Sequence, residues 1–112
     1  MSSPQALPPL RLGIAGLGTV GIGTVKIVQR HAELIAARTG RRVEITAVCA
    51  RDKTKNRDAD LSLYAWETDA VALAKRDDID VFVELMGGHE GIAKDATEAA
   101  LASGKDVVTA NK

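Results

Sequence analysis

Six residues, Gly16-Leu17-Gly18-Thr19-Val20-Gly21, constrain this chain more than any other stretch. They follow a short apolar segment, Leu12 to Ala15, and open a helically spaced pattern that runs toward Ala37. Strand, glycine-rich turn and helix in that order form the context that a dinucleotide-binding fingerprint requires. Gly16 permits a tight turn out of the strand. Gly18 lets the backbone approach a pyrophosphate, where a Cβ would collide. Gly21 lets the helix pack closely on the first strand. The unpaired N–H groups of the first helical turn, around Thr19 and Val20, would then receive the pyrophosphate, helped by the helix dipole. The plainer alternative is a turn that is merely rich in glycine.

A chain of 112 residues is long enough for one domain with its own core and too short for two. Acidic and basic side chains balance at 15 each, so no overall field draws in nucleic acid or an anionic membrane. Tyr64, Trp66 and Phe82 are the only aromatic residues, which leaves no stacking platform for single strands. The core must come from Val, Ile, Leu and Ala. The single cysteine, Cys49, allows no internal disulfide, which suits a reducing cytoplasm; the expectation for it is a small buried hydrophobe. No apolar run approaches a membrane span, and residues 1–9, with three prolines and neither a basic nor an apolar stretch, do not read as a secretory signal. They are expected to be a flexible leader, with the domain at 10–112.

Strands are expected at Arg11 to Ala15, Val43 to Ala50, within Leu61 to Trp66, at Val81 to Met86 and at Asp106 to Thr109. A helix from Thr19 to Ala37 would bury Val20, Thr24, Ile27, Val28, His31, Leu34 and Ile35 on one face and stop at Gly40. A second, over Asp69 to Arg76, would be capped by Thr68 and carry Lys75 and Arg76 in its last turn. A third, over His89 to Ser103, would turn Ile92, Ala96, Ala99 and Ala100 inward and end at Gly104. Regular alternation of strands and helices predicts an α/β fold, a Rossmann-type doubly wound parallel sheet truncated after about five strands. The stop just after a strand suggests a piece of a longer enzyme.

Ligands of open α/β sheets bind at the carboxyl ends of the strands. Arg51 stands at or beside the tip of the second strand, with Lys53, Lys55 and Arg57 behind it. A guanidinium there can clasp the 2′-phosphate of NADP; Asp52 could instead bind the ribose hydroxyls of NAD, and a solvated charged loop is the bland reading. Glu84, in an apolar strand, must be paired or at the end of the sheet. Gly87 and Gly88 either admit a nicotinamide ring or form a plain strand-to-helix turn. By position alone Lys112 is a solvated lysine. His31 belongs on a helix face and His89 at a helix start, and no metal-ligand spacing accompanies them.

Together these segments resemble homoserine dehydrogenase. The likeness rests on Leu12-Gly13-Ile14-Ala15 running into GLGTVG, on Val25 to Val28, on Asp80 through the Val81-Phe82-Val83-Glu84-Leu85-Met86-Gly87-Gly88 segment, and on the closing VTANK of Val108 to Lys112. It spans Leu10 to Lys112, and the E-x-x-G-G and VTANK segments are its specific part. The resemblance implies reduction of L-aspartate 4-semialdehyde to L-homoserine with NADH or NADPH, on the route to threonine and methionine, by a cytoplasmic homo-oligomer. It implies that residues 16–21 bind the pyrophosphate and that Arg51 meets the 2′-phosphate. Gly87, Thr109 and Asn111 would line the nicotinamide end, and Lys112 would transfer a proton at the substrate oxygen. The family's substrate-binding and dimerising parts lie beyond this sequence, so the chain alone is expected to lack turnover. If Lys112 is the final residue, its own α-carboxylate raises the pKa of the amine and works against catalysis. Another amino-acid dehydrogenase with the same first domain, or a nucleotide-sensing module without catalysis, are the alternatives.

Overall fold

The computed structural model describes residues 9–50, 61–86 and 90–109. Its elements are β1 (Leu10–Ala15), α1 (Thr19–Thr39), β2 (Val43–Cys49), β3 (Ala65–Glu67), α2 (Ala70–Ala74), β4 (Val81–Glu84), α3 (Glu90–Ala102) and β5 (Asp106–Thr109). All adjacent strands run parallel, in the order β3-β2-β1-β4-β5. The expected doubly wound sheet is therefore present, and its strand order reverses between β1 and β4.

The central strands carry near-continuous apolar runs because both of their faces are covered. On one face Leu12, Ile14, Ile45, Val48, Val81 and Val83 pack with Leu17 and with Val25 of α1. On the other, Ala15, Ala47, Cys49 and Phe82 meet Ala70, Leu73 and Ala74 of α2 and Ala96 and Ala100 of α3. Small side chains dominate this second layer, which lets the two helices lie close to the sheet and to each other. The register of β1 against β2 shifts between Leu12 and Gly13, from Leu12 opposite Ile45 to Gly13 opposite Ala47. Thr46 is the extra residue. It changes the phase of β2, so that Ile45 and Val48 share the α1 face while Ala47 and Cys49 share the other.

Several boundaries and faces differ from the sequence expectation. The expected face of α1 is turned by about one residue: Val20, Ile27 and Leu34 are 59%, 58% and 49% exposed, His31 is exposed, and Val25 is buried instead. The cause is Gly21. A Cβ there would run into the Gly16 carbonyl, so this glycine must face the sheet, and that sets the rotation of the helix up to His31, where a φ of −118° and a ψ of 19° break the helical geometry. The helix continues to Thr39 and ends at Gly40, whose φ of 75° is left-handed and whose N–H donates to the Ala36 carbonyl.

β3 lies at Ala65–Glu67, later than expected, and its edge is tied down where the Trp66 indole N–H donates to the Ala50 carbonyl. β2 stops at Cys49 and β4 at Glu84, short of Ala50 and Met86. α2 is capped by Asp69, not Thr68, and ends before Arg76, whose guanidinium instead bridges Asp78 and Glu67. In α3, Ile92 is 44% exposed while Ala93, Ala96 and Ala100 are buried. The alanine stripe, not the isoleucine, faces α2, because only small side chains allow that approach. Gly104 is left-handed beyond the helix, as expected.

Candidate dinucleotide site

The last residues of all the strands form one row. Glu67 pairs with Cys49, Cys49 with Ala15, Ala15 with Glu84 and Glu84 with Thr109. The sheet thus has a level carboxyl edge, and the crevice of an open α/β sheet lies above its reversal point, between β1 and β4.

At that point the chain leaves β1 through Gly16, whose N–H donates to the Cys49 carbonyl. Gly16 has a φ of 100°, and a Cβ on it would lie 2.8 Å from the Leu85 carbonyl oxygen. The glycine is required where the turn squeezes past the end of β4. The Leu85 N–H donates to the Ala15 carbonyl and closes the seam between the two strands.

Gly18 is different in kind. Its φ is negative, and a Cβ there would meet nothing within 4 Å. No contact inside the described protein asks for glycine at this position. It is the N-cap of α1, no side chain caps the helix, and the first turn holds no acidic residue. Gly18, Thr19 and Val20 are all exposed. The N–H groups of the first helical turn have no partner within their own helix and carry the positive end of its dipole. An exposed helix start of this kind, with glycine where a side chain would stand in the way, fits a phosphate group.

On the other side of the seam Glu84 is 2% exposed, a buried acid at the end of β4. One carboxylate oxygen accepts from the Met86 N–H at 2.7 Å and the other from the Thr109 hydroxyl at 2.6 Å. It is paired, and it stands at the strand end, so both parts of the sequence expectation are met. Sequence reasoning singled out both Glu84 and Thr109 but missed their pairing. The signal was the lone acid in an apolar strand, which had to find donors. Cys49, in the same row, is buried; burial first, then the Asp69 and Glu67 carboxylates, pushes its thiol up to about 11, so it is no thiolate nucleophile.

Of the expected site residues, the structure brings Gly16, Gly18, Thr19, Val20, Gly21 and Thr109 to this edge. Arg51, Lys53, Gly87, Gly88, Asn111 and Lys112 lie outside the described residues, as do Asp52, Lys55, Arg57 and His89. Among the described residues no cluster of His, Cys, Asp and Glu could hold a metal ion, and no helix is long and apolar enough to cross a membrane.

A parallel sheet in this order, with a glycine turn and an uncapped helix start at its reversal point, defines a dinucleotide-binding domain of the doubly wound α/β class. The model for the homoserine dehydrogenase NAD binding domain matches residues 16–112. Homoserine dehydrogenase of Neisseria gonorrhoeae is 43% identical over 106 residues, which are 95% of this chain and 24% of that protein. Among solved structures, homoserine dehydrogenase of S. aureus at pH 7.0 superposes with a TM-score of 0.83 at 36% identity, over 95% of this chain and 27% of that one. The enzyme of Thiobacillus denitrificans gives 0.81 at 38% identity, over 92% and 23%. The chain belongs to the homoserine dehydrogenase family, as its NAD-binding domain. It spans about a quarter of the length of the curated relatives it matches.

Proposed function

We propose that this chain binds NADPH or NADH as the nucleotide-binding part of an enzyme that interconverts L-aspartate 4-semialdehyde and L-homoserine. The observation that carries the reading is Gly18, a glycine that no contact among the described residues requires, at a helix start with no side-chain cap. Gly16 and Gly21 shape the turn, and the N–H groups of Thr19 and Val20 donate to the pyrophosphate. Arg51 and Lys53 meet a 2′-phosphate, which makes NADPH the preferred form. Gly87, Gly88, Thr109 and Asn111 line the nicotinamide end. When bound, the dinucleotide supplies or accepts a hydride. Lys112 passes the proton to or from the substrate oxygen. Substrate residues and the contacts of a homo-oligomer are assigned to the remaining three-quarters of the enzyme, as the partial coverage of the relatives supports. A cytoplasmic setting agrees with the free thiol of Cys49. The 112-residue polypeptide alone is expected to bind nucleotide without turning over homoserine.

Calorimetric titration with NADPH and with NADH tests this. Gly18→Ala should weaken binding about tenfold or more, equivalent to about 1.4 kcal/mol, with an unchanged melting temperature. Arg51→Ala should remove the preference for NADPH. A Gly18→Ala chain that binds as tightly as wild type would sink the pyrophosphate assignment.

A further inference from the structure

We infer that the groove between α1 and β5, on the α1 face of the sheet, seats an apolar-faced helix from the part of the enzyme that this chain does not span. The inference rests on family membership and on the partial coverage of the relatives, not on the nucleotide reading of the crevice. Strands stand about 4.8 Å apart and packed helices about 10 Å, so one helix covers about two strands. α1 joins β1 to β2, and among the described residues no other helix lies on its face of the sheet; α2 and α3 are both on the opposite face. β5 shows the gap. Its Val107 belongs to the layer under α2 and α3 and is half-buried. Its Val108, opposite Val83 on the α1 face, is 55% exposed. Strands of a parallel sheet have both faces covered as a rule.

The wall of the gap is apolar as well. Gln29 of α1 donates to the hydroxyl of Tyr64, just before β3, so that side of the helix looks toward β3. Val20 and Ile27 lie about half a turn round the helix from Gln29 and so look away from β3, outward and toward β4 and β5. Both are exposed. Val20, Ile27 and Val108 thus border one groove with the width of a single helix. The occupant follows from its size. A stable dimer buries about 1,600 Å² in all, and three exposed side chains fall well short of that, so a second copy would not hold here. A segment of the same polypeptide needs no such area, because its tether keeps it at high effective concentration. About three-quarters of the length of the relatives lies outside the matched region and can supply it.

Thiol labelling of the full-length enzyme, read by peptide mass mapping, tests this. Cys49, the one cysteine of these 112 residues, is buried and does not compete. Ile27→Cys and Val108→Cys should label about tenfold more slowly than Glu33→Cys, an exposed position elsewhere on α1. In the 112-residue chain all three should label alike. A photoactivated cross-linker on either protected thiol should join it to one and the same stretch beyond Lys112, within a single polypeptide. Rapid labelling of Ile27→Cys and Val108→Cys in the full-length enzyme would overturn the inference. So would protection already present in the 112-residue chain, cross-links between two polypeptides, or cross-links from the two positions to separate stretches. A native polypeptide that ends at Lys112 would overturn it too, while nucleotide titration of that chain would still decide the nucleotide reading on its own.

Discussion

The glycines at positions 16 and 18 lie two residues apart yet answer to different forces, and substitution separates them. Gly16→Ala forces a side chain into a left-handed backbone and against the Leu85 carbonyl. The backbone alone costs about 1–2 kcal/mol, and the collision adds to it. Thermal melting should show a clear loss of stability for Gly16→Ala and none for Gly18→Ala, whose Cβ enters open space. Phe82 sits fully buried in the alanine-rich layer between β4 and the two helices. Few large side chains surround it, so Phe82→Ala should cost about 3–5 kcal/mol in urea denaturation. A Phe82→Ala chain within 1 kcal/mol of wild type would mean that the layer collapses around the cavity.

For the secondary-structure elements, the sequence predicts the five strands, with the extents of β2, β3 and β4 shifted by a few residues, and predicts the helix faces less well. Val81 to Glu84 and Asp106 to Thr109 announced themselves through continuous or β-branched apolar runs, which only a doubly covered or edge position accommodates. The face of α1 was misjudged because Val20, Ile27 and Leu34 repeat at helical spacing and outrank a glycine on any hydropathy pattern. Contact with the Gly16 carbonyl decides the rotation, and that contact exists only once the turn has formed. The same logic holds in α3, where close packing on α2 selects alanine over Ile92. The short α2 depends on its start: the Asp69 carboxylate accepts from the Val71 N–H at 3.0 Å. Asp69→Ala should therefore cost about 1 kcal/mol, and Asp69→Asn much less, measured by chemical denaturation. Equal losses for the two would argue against the cap.

At the scale of the whole molecule, the crevice was legible and its inner wiring was not. Gly16 to Gly21 lies contiguous in sequence, so the turn could be read directly. Glu84 and Thr109 are 25 residues apart, and only the parallel register brings them together. The opposite edge of the sheet is held by a pair of the same long-range kind. Asp80, just before β4, accepts from the backbone N–H and the guanidinium of Arg11 in β1. The side-chain hydrogen bond from Arg11, then the backbone one, holds the Asp80 carboxyl below its ordinary value, and Arg76 does the same for Asp78. A carboxylate with a lowered folded-state pKa contributes stability above its unfolded value and loses it as the pH falls through the lowered one. Asp80→Asn should thus be less stable than wild type near neutral pH, and the gap should close as the pH drops below about 4. Urea midpoints at both pH values check this, and a gap that persists in strong acid would contradict it.

The parallel order of the sheet also has a consequence in time. β1 pairs with β2 across a single helical crossover, but its other edge waits for β4, some 70 residues later in the chain. The centre strand is the first to be made and among the last to be sealed. Contacts of such long sequence separation are slow to form, and a growing chain must hold that open edge until β4 has emerged. Because the Ala15–Leu85 hydrogen bond and the Gly16 turn lie on this same seam, the crevice comes into being only when β4 has docked on β1. Nucleotide binding, followed during refolding, would therefore serve as a clock for the docking of β4 on β1.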